Sequence, residues 1–144
     1  MPPQWTDAML RLTLRGGSVY YLQERRLSSA APHYFVVLNQ VPYGDGFLVL
    51  AVASSNVSGA RNRNRNLPPE TVVEISPAEY ADFTVQSIVD CNPLFRVTKQ
   101  ELLQKLQANV AGEKRPLAPE ILAKLRQGVL TSPLIEEEIK DLLR

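Results

Sequence analysis

Few residues in this chain combine a reactive side chain with a setting that could use it. His33 is the one histidine, and an imidazole, whose unperturbed pKa lies near neutrality, can both take and give a proton. Arg61, Arg63 and Arg65 alternate with Asn62, Asn64 and Asn66, and guanidiniums interleaved with amides contact phosphates and base edges. Arg25-Arg26 is a second basic pair. Each has a plainer use. A lone histidine entering an apolar strand serves equally as a hydrogen-bonded structural residue, and a solvated loop has the same Arg–Asn composition. Cys91, the one cysteine, has no histidine near it in sequence and reads as a small core residue rather than a nucleophile. The run Glu136-Glu137-Glu138 opens a helix, where carboxylates meet the positive end of the dipole.

Composition narrows the classes further. Sixteen Lys+Arg against fifteen Asp+Glu leave a net charge of +1, which argues against a protein that holds nucleic acid by bulk charge; any basic patch must be local. One cysteine allows no internal disulfide, and with one histidine there is no Cys/His set for a metal, so neither metal nor cofactor is expected. A reducing cytoplasm fits this cysteine usage. The first residues lack the basic start and apolar run of a signal peptide. No apolar run approaches the roughly 20 residues of a membrane span, so no membrane association is expected. At 144 residues the chain can bury a core without staples, and we read residues 1–144 as a single domain.

The elements that would position these residues follow from periodicity. Leu10, Leu12 and Leu14 alternate with polar residues, which predicts a strand. Gly16-Gly17 breaks it, and Val19 to Leu22 is a second strand. Tyr34–Leu38 and Phe47–Ala53 are apolar nearly throughout, with Pro42-Tyr43-Gly44-Asp45-Gly46 between them, and predict a central hairpin buried on both faces. Residues 54–69 show no period and read as a mobile loop. Thr71–Ile75 returns to strand character, Ser76-Pro77-Ala78-Glu79 predicts a short helix over 77–83, and Ser87–Val89 and Leu94–Val97 read as two strands around the Asp90–Pro93 bend. Thr98-Lys99-Gln100-Glu101 is a capping box opening a helix to about Ala108. Ala111–Pro116 resembles a linker; a helix over Glu120–Gln127 closes at Gly128, and a last one starts at Ser132-Pro133. The expected fold is mainly β with a helical C-terminal tail: a small curled antiparallel core over 8–97, followed by three helices over 98–144.

In order and spacing these strings resemble the PemK/MazF family, the dimeric toxins of bacterial toxin–antitoxin pairs, which are sequence-selective ribonucleases on an SH3-like barrel. The likeness is carried by Arg15-Gly16-Gly17-Ser18-Val19-Tyr20-Tyr21, by Pro32-His33-Tyr34-Phe35-Val36-Val37-Leu38-Asn39, by Leu48-Val49-Leu50-Ala51-Val52-Ala53-Ser54-Ser55, and by the order of elements from Val73 to Leu102. It implies an SH3-like barrel, a metal-independent endoribonuclease acting on single-stranded RNA, an antitoxin protein as partner, and a homodimer. The family relies on an Arg that precedes a Pro, and on a Thr or Ser after the buried strand. Here Pro32 stands where the Arg aligns, and Ala53 stands at the Thr position with Ser54 one residue on. The family's catalytic Arg and Thr are thus not retained.

Metal-free RNA cleavage needs a group to take the 2′-hydroxyl proton, a proton donor to the leaving oxygen, and cations or hydrogen-bond donors on the phosphorane. His33, beside the position of the missing Arg, is the candidate acid–base residue, and Ser54 the candidate donor to a phosphate oxygen. Arg61, Arg63 and Arg65, or Arg25 and Arg26, are the candidate RNA-binding cations. Two readings stay open: a ribonuclease with a rearranged site, and a non-catalytic relative serving as an RNA-binding or protein-interaction module. The family likeness, together with the aliphatic stripe Leu134, Ile135, Ile139, Leu142 and Leu143, which one small sheet can hardly cover, predicts a symmetric dimer. Light scattering at micromolar concentration should report twice 16.1 kDa; the monomer mass would count against it.

Overall fold

A computed structural model describes residues 5–23, 32–108 and 111–144 of the chain. Within them the elements run α1 (Asp7–Thr13), β1 (Val19–Leu22), β2 (His33–Val37), β3 (Leu48–Ser54), α2 (Val57–Arg63), a 3₁₀ turn (Pro69–Thr71), β4 (Val72–Ile75), β5 (Ser87–Val97), α3 (Lys99–Gln107), β6 (Ala111–Lys114), α4 (Pro119–Thr131) and α5 (Glu137–Asp141). The fold is mixed α/β. One six-stranded sheet in the order β4-β5-β3-β2-β1-β6 pairs antiparallel throughout. Its ends, β4 and β6, are not paired with each other, so the sheet is open.

The central strands dictate the layering. Phe35, Val36 and Val37 on β2 and Leu48 to Ala51 on β3 are all buried, and successive side chains of a strand point to opposite faces, so both faces require cover. On one face Phe35, Val37, Leu48 and Leu50 pack with Leu10 and Leu14 of the N-terminal segment and Leu102 and Leu106 of α3. On the other, Val36, Val49, Ala51 and Val89 pack with Leu122, Leu125 and Val129 of α4 and Ile139 of α5. The predicted pairing of the central hairpin is observed, with Tyr34 opposite Ala53 and Val37 opposite Leu50. Buried Asn39 closes its connection: its Oδ1 accepts from Val49 N at 2.7 Å, and its Nδ2 donates to Asp45 and Phe47. Arg126 of α4 donates from Nε to Leu38 O at 2.8 Å and from Nη2 to Asn39 O at 3.0 Å, docking that helix on the end of β2.

Several expectations are corrected, each for a local reason. Leu10–Leu14 is not a strand: Thr6 caps α1 through Met9 N, Leu10 and the following Leu14 are buried one turn apart, and Leu12 is 84% exposed. Three alternating leucines fit a helix as well as a strand, because positions i and i+4 share a helix face. Residues 54–69 are not all loop; Val57–Arg63 forms α2, which Asn56 caps through Gly59 N, and Ala60 of α2 packs with Val72 and Ile88. The segment 77–83 is not helical, although Ser76 and Glu79 do exchange the two capping hydrogen bonds. The two strands around 90–93 are one strand, β5, with an irregularity opposite Leu50–Val52. Ala111–Lys114 is not a linker but the edge strand β6 on β1. With α1 and α2 added, five helices rather than three flank the sheet among the described residues. Gly128 does not end α4. A Cβ there would lie 2.7 Å from Glu70 O and 3.1 Å from Cys91 Sγ, so glycine serves the close approach of α4 to the 3₁₀ turn and β5.

The α1 assignment sets up a contrast in stability. Leu10→Ala should cost about 2–5 kcal/mol, whereas Leu12→Ala should stay within about 0.5 kcal/mol, both measured by urea denaturation; equal effects would refute the helix.

Candidate functional site

The β2–β3 ladder brings the two candidate catalytic residues together. Tyr34 pairs with Ala53, and His33 and Ser54 are the next residues along the two strands, at the end of the sheet. His33, Tyr34, Ala53, Ser54 and Ser55 line a cleft of about 280 Å³ together with Tyr21, Asp82, Phe83 and Thr84. Because it lies at the strand ends, residues of both pleat faces reach it. His33 Nδ1 is buried and has no hydrogen-bond partner among the described residues. An imidazole nitrogen in that state is an unused donor or acceptor, and the half-buried His33 side chain itself lines the cleft. Ser54 Oγ accepts from Asn56 N at 3.0 Å, leaving its own hydroxyl proton free to be donated.

The cleft has an aromatic wall. Tyr21 and Tyr34, paired across β1 and β2, hold their rings 4.6 Å apart at a 35° tilt, and Phe83 meets Tyr34 edge-on at 5.1 Å. The Tyr34 hydroxyl donates to Asp82 O at 3.2 Å, and its pKa is raised, first by burial and then by Tyr21 and Asp82 nearby. Asp82 is tied to the chain beyond β6: Arg115 N donates to its Oδ2 at 3.0 Å, and the Arg115 guanidinium stands 3.8 Å from Oδ1. The residues 76–85 that supply Asp82 and Phe83 are held by Tyr80, whose hydroxyl donates to Arg115 O at 2.6 Å.

The Arg–Asn segment is placed elsewhere. Arg61 and Arg63 project from α2, which packs on β4 and β5 rather than on the cleft. Arg61 Nε donates to Glu74 Oε1 at 2.7 Å, and that contact, with Gln86, holds the Glu74 carboxyl below its ordinary pKa. Arg63 stands 3.9 Å from Asp90, and Arg65 donates back to Asn62 O. None of the three lines the cleft. Arg25 and Arg26 lie outside the described residues.

Sequence reasoning missed a buried polar cluster next to that helix. Asn92, on the irregular stretch of β5, donates from Nδ2 toward Asn64, Thr71 and Asp90 and accepts from Ser132 Oγ at 2.7 Å. Asn64 Nδ2 donates to Asp90 Oδ2 at 2.7 Å. The cluster ties α2, the 3₁₀ turn, β5 and the end of α4 together, and it satisfies groups that would otherwise be buried without partners. Asn64 is thereby a structural member of the Arg–Asn run, and the only sequence signal for it was a pair of polar residues, Asp90 and Asn92, interrupting an apolar strand.

No group of His, Cys, Asp and Glu suited to a metal ion occurs among the described residues, and no helix there is long and apolar enough to cross a membrane. The chain matches no protein-family model and no curated protein.

Cys91 is fully buried. Its Sγ lies 3.5 Å from Leu125 O, and burial, with Asp90 adjacent, pushes the thiol up to about 12. Since the thiolate is the reactive form, folded protein should resist alkylation at pH 8 and react fully once denatured; rapid modification of the native state would show that this packing is wrong.

Proposed function

We propose that the His33–Ser54 cleft binds single-stranded RNA and that the chain is a PemK/MazF-like toxin of a toxin–antitoxin pair, a metal-independent endoribonuclease. The observation that carries this reading is that His33 and Ser54, on different strands, line one cleft, and that the buried Nδ1 of His33 has no hydrogen-bond partner among the described residues. In the reaction His33 takes the proton of a ribose 2′-hydroxyl. The 2′-oxygen bonds to the adjacent phosphorus, the bond to the 5′-oxygen breaks, and that oxygen receives its proton from the imidazolium. The products are a 2′,3′-cyclic phosphate and a free 5′-hydroxyl. Ser54 donates to a non-bridging oxygen as charge builds there. The reading carries with it the family's SH3-like curl of the strands, a homodimer, an antitoxin protein that covers the cleft, and a cytoplasmic location.

A second reading, a non-catalytic RNA-binding or protein-interaction module, is favoured by charge. Among the described residues the cleft lining includes Asp82 and neither Lys nor Arg, so these residues supply no cation to the phosphorane. Each such missing donor typically costs ~10²–10³ in rate.

Incubation with a long mixed-sequence RNA in the presence of a chelator separates the two. Slow cleavage is expected, abolished in His33→Ala with the melting temperature unchanged. Undiminished cleavage by His33→Ala would make His33 structural, and no cleavage by the native protein, freed of any bound antitoxin, would leave the binding module.

A further inference from the structure

The edge of the sheet beside the cleft has a feature that the reaction does not use. Tyr21 forms part of the cleft wall, and the residue is 37% exposed, with Tyr34 against one flank of its ring. Across the other flank, on the edge strand β6, the residue directly opposite is Gly112. A side chain at that register position would stand on the same face as Tyr21 and cover it. Gly112 has none, and a Cβ there would meet no atom of the described residues within 4 Å. Two residues on, and therefore on the same face, Lys114 holds its ammonium 5.8 Å from the centre of the Tyr21 ring. An exposed aromatic face, an uncovered flank and a neighbouring cation together match what an unpaired nucleotide needs: a surface to stack its base on and a charge for its phosphate.

We propose that Tyr21 is a stacking platform for one unpaired nucleobase, admitted over Gly112, with Lys114 contacting the adjoining phosphate. This rests on the reading of the cleft as an RNA site and adds to it the residue that positions the strand. Tyr21 is a positioning residue: it holds the nucleotide next to the one whose phosphate faces His33. Because every base has a π-face, the platform tolerates sequence, and it accepts single-stranded DNA as well as RNA; only the chemistry at His33 requires the 2′-hydroxyl.

The test measures binding of a labelled single-stranded RNA, the same sequence in DNA, and an RNA in which one base at a time is replaced by an abasic site. Tyr21→Ala should weaken binding of RNA and DNA alike by about 5- to 150-fold and should abolish the penalty for the abasic position that the native protein reveals. Tyr21→Trp should restore both. Gly112→Leu, which leaves Tyr21 intact and fills open space, should weaken binding similarly, and it keeps the test valid if Tyr21→Ala does not fold. Lys114→Ala should reduce the slope of log affinity against log salt by about one. Binding by Tyr21→Ala and Gly112→Leu at native strength, or an abasic penalty that survives Tyr21→Ala, overturns the platform even if RNA is cut. Loss of binding in both variants with no RNA cleavage by the native protein upholds the platform and overturns the ribonuclease reading. Absence of all single-strand binding overturns both.

Discussion

Everything in this structure follows from two adjacent strands that are apolar on both faces. A strand with one wet face needs a single cover, but β2 and β3 bury successive residues on opposite sides, so the sheet is stable only with helices on each side. The chain meets this by sending α1 and α3 to one face and α4 and α5 to the other. The links between layers are specific: Arg126 reaches two carbonyls at the end of β2, and Gly128 lets α4 approach the 3₁₀ turn at backbone distance. Burial lowers the pKa of the Arg126 guanidinium; its hydrogen bonds to the Leu38 and Asn39 carbonyls offset that burial.

The cleft arises where that cover stops. At the His33 and Ser54 end of the hairpin the helical layers give way to the irregular segment 76–85, which carries Tyr80 and Phe83 into the core but leaves Asp82, Thr84 and Val85 beside the strand ends. Backbone and side-chain polar groups gather there because the ladder has ended, and the aromatic set Tyr21, Tyr34 and Phe83 supplies the apolar wall. A site on strand termini is held by the rigid part of the fold, which favours fixed geometry over adaptability.

What was legible in the sequence was whatever depends on strong local patterns. The apolar runs 34–38 and 47–53 pair as expected, Val19–Leu22 is a strand at the expected residues, and the Thr98–Glu101 capping box opens α3. The meeting of His33 with Ser54 is set by the β2–β3 register, which the sequence pattern did not specify. The failures share a cause: they concern segments whose structure is decided by tertiary contacts. Val57–Arg63 has one residue, Ala60, fully buried, too few to give a period, and its helix is set by packing on Val72 and Ile88 and by Asn64 reaching Asp90. Ala111–Lys114 has the composition of a linker, and only the free edge of β1 makes it a strand. The role of Gly128 lies in a carbonyl far away in sequence, which no helix-end rule contains.

The distribution of charge limits what the cleft can do more sharply than its shape. The arginines most suggestive of nucleic acid in the sequence are engaged: Arg61 with Glu74, Arg65 with its own backbone, and Arg63 facing Asp90. An exposed ion pair of this kind is weak, on the order of 1 kcal/mol or less, and a phosphate could displace it, but these side chains stand over β4 and β5, away from His33. Among the described residues, the cations beside the cleft wall are instead those of and just after β6, Lys114 near Tyr21 and Arg115 near Asp82. Among the described residues no Lys or Arg lines the cleft beside His33, and an imidazole by itself moves protons but does little for a dianionic phosphorane. For a nucleic acid held here, the described residues would contribute stacking and hydrogen bonding at the cleft and charge from the β6 edge, where Lys114 and Arg115 could each meet a phosphate.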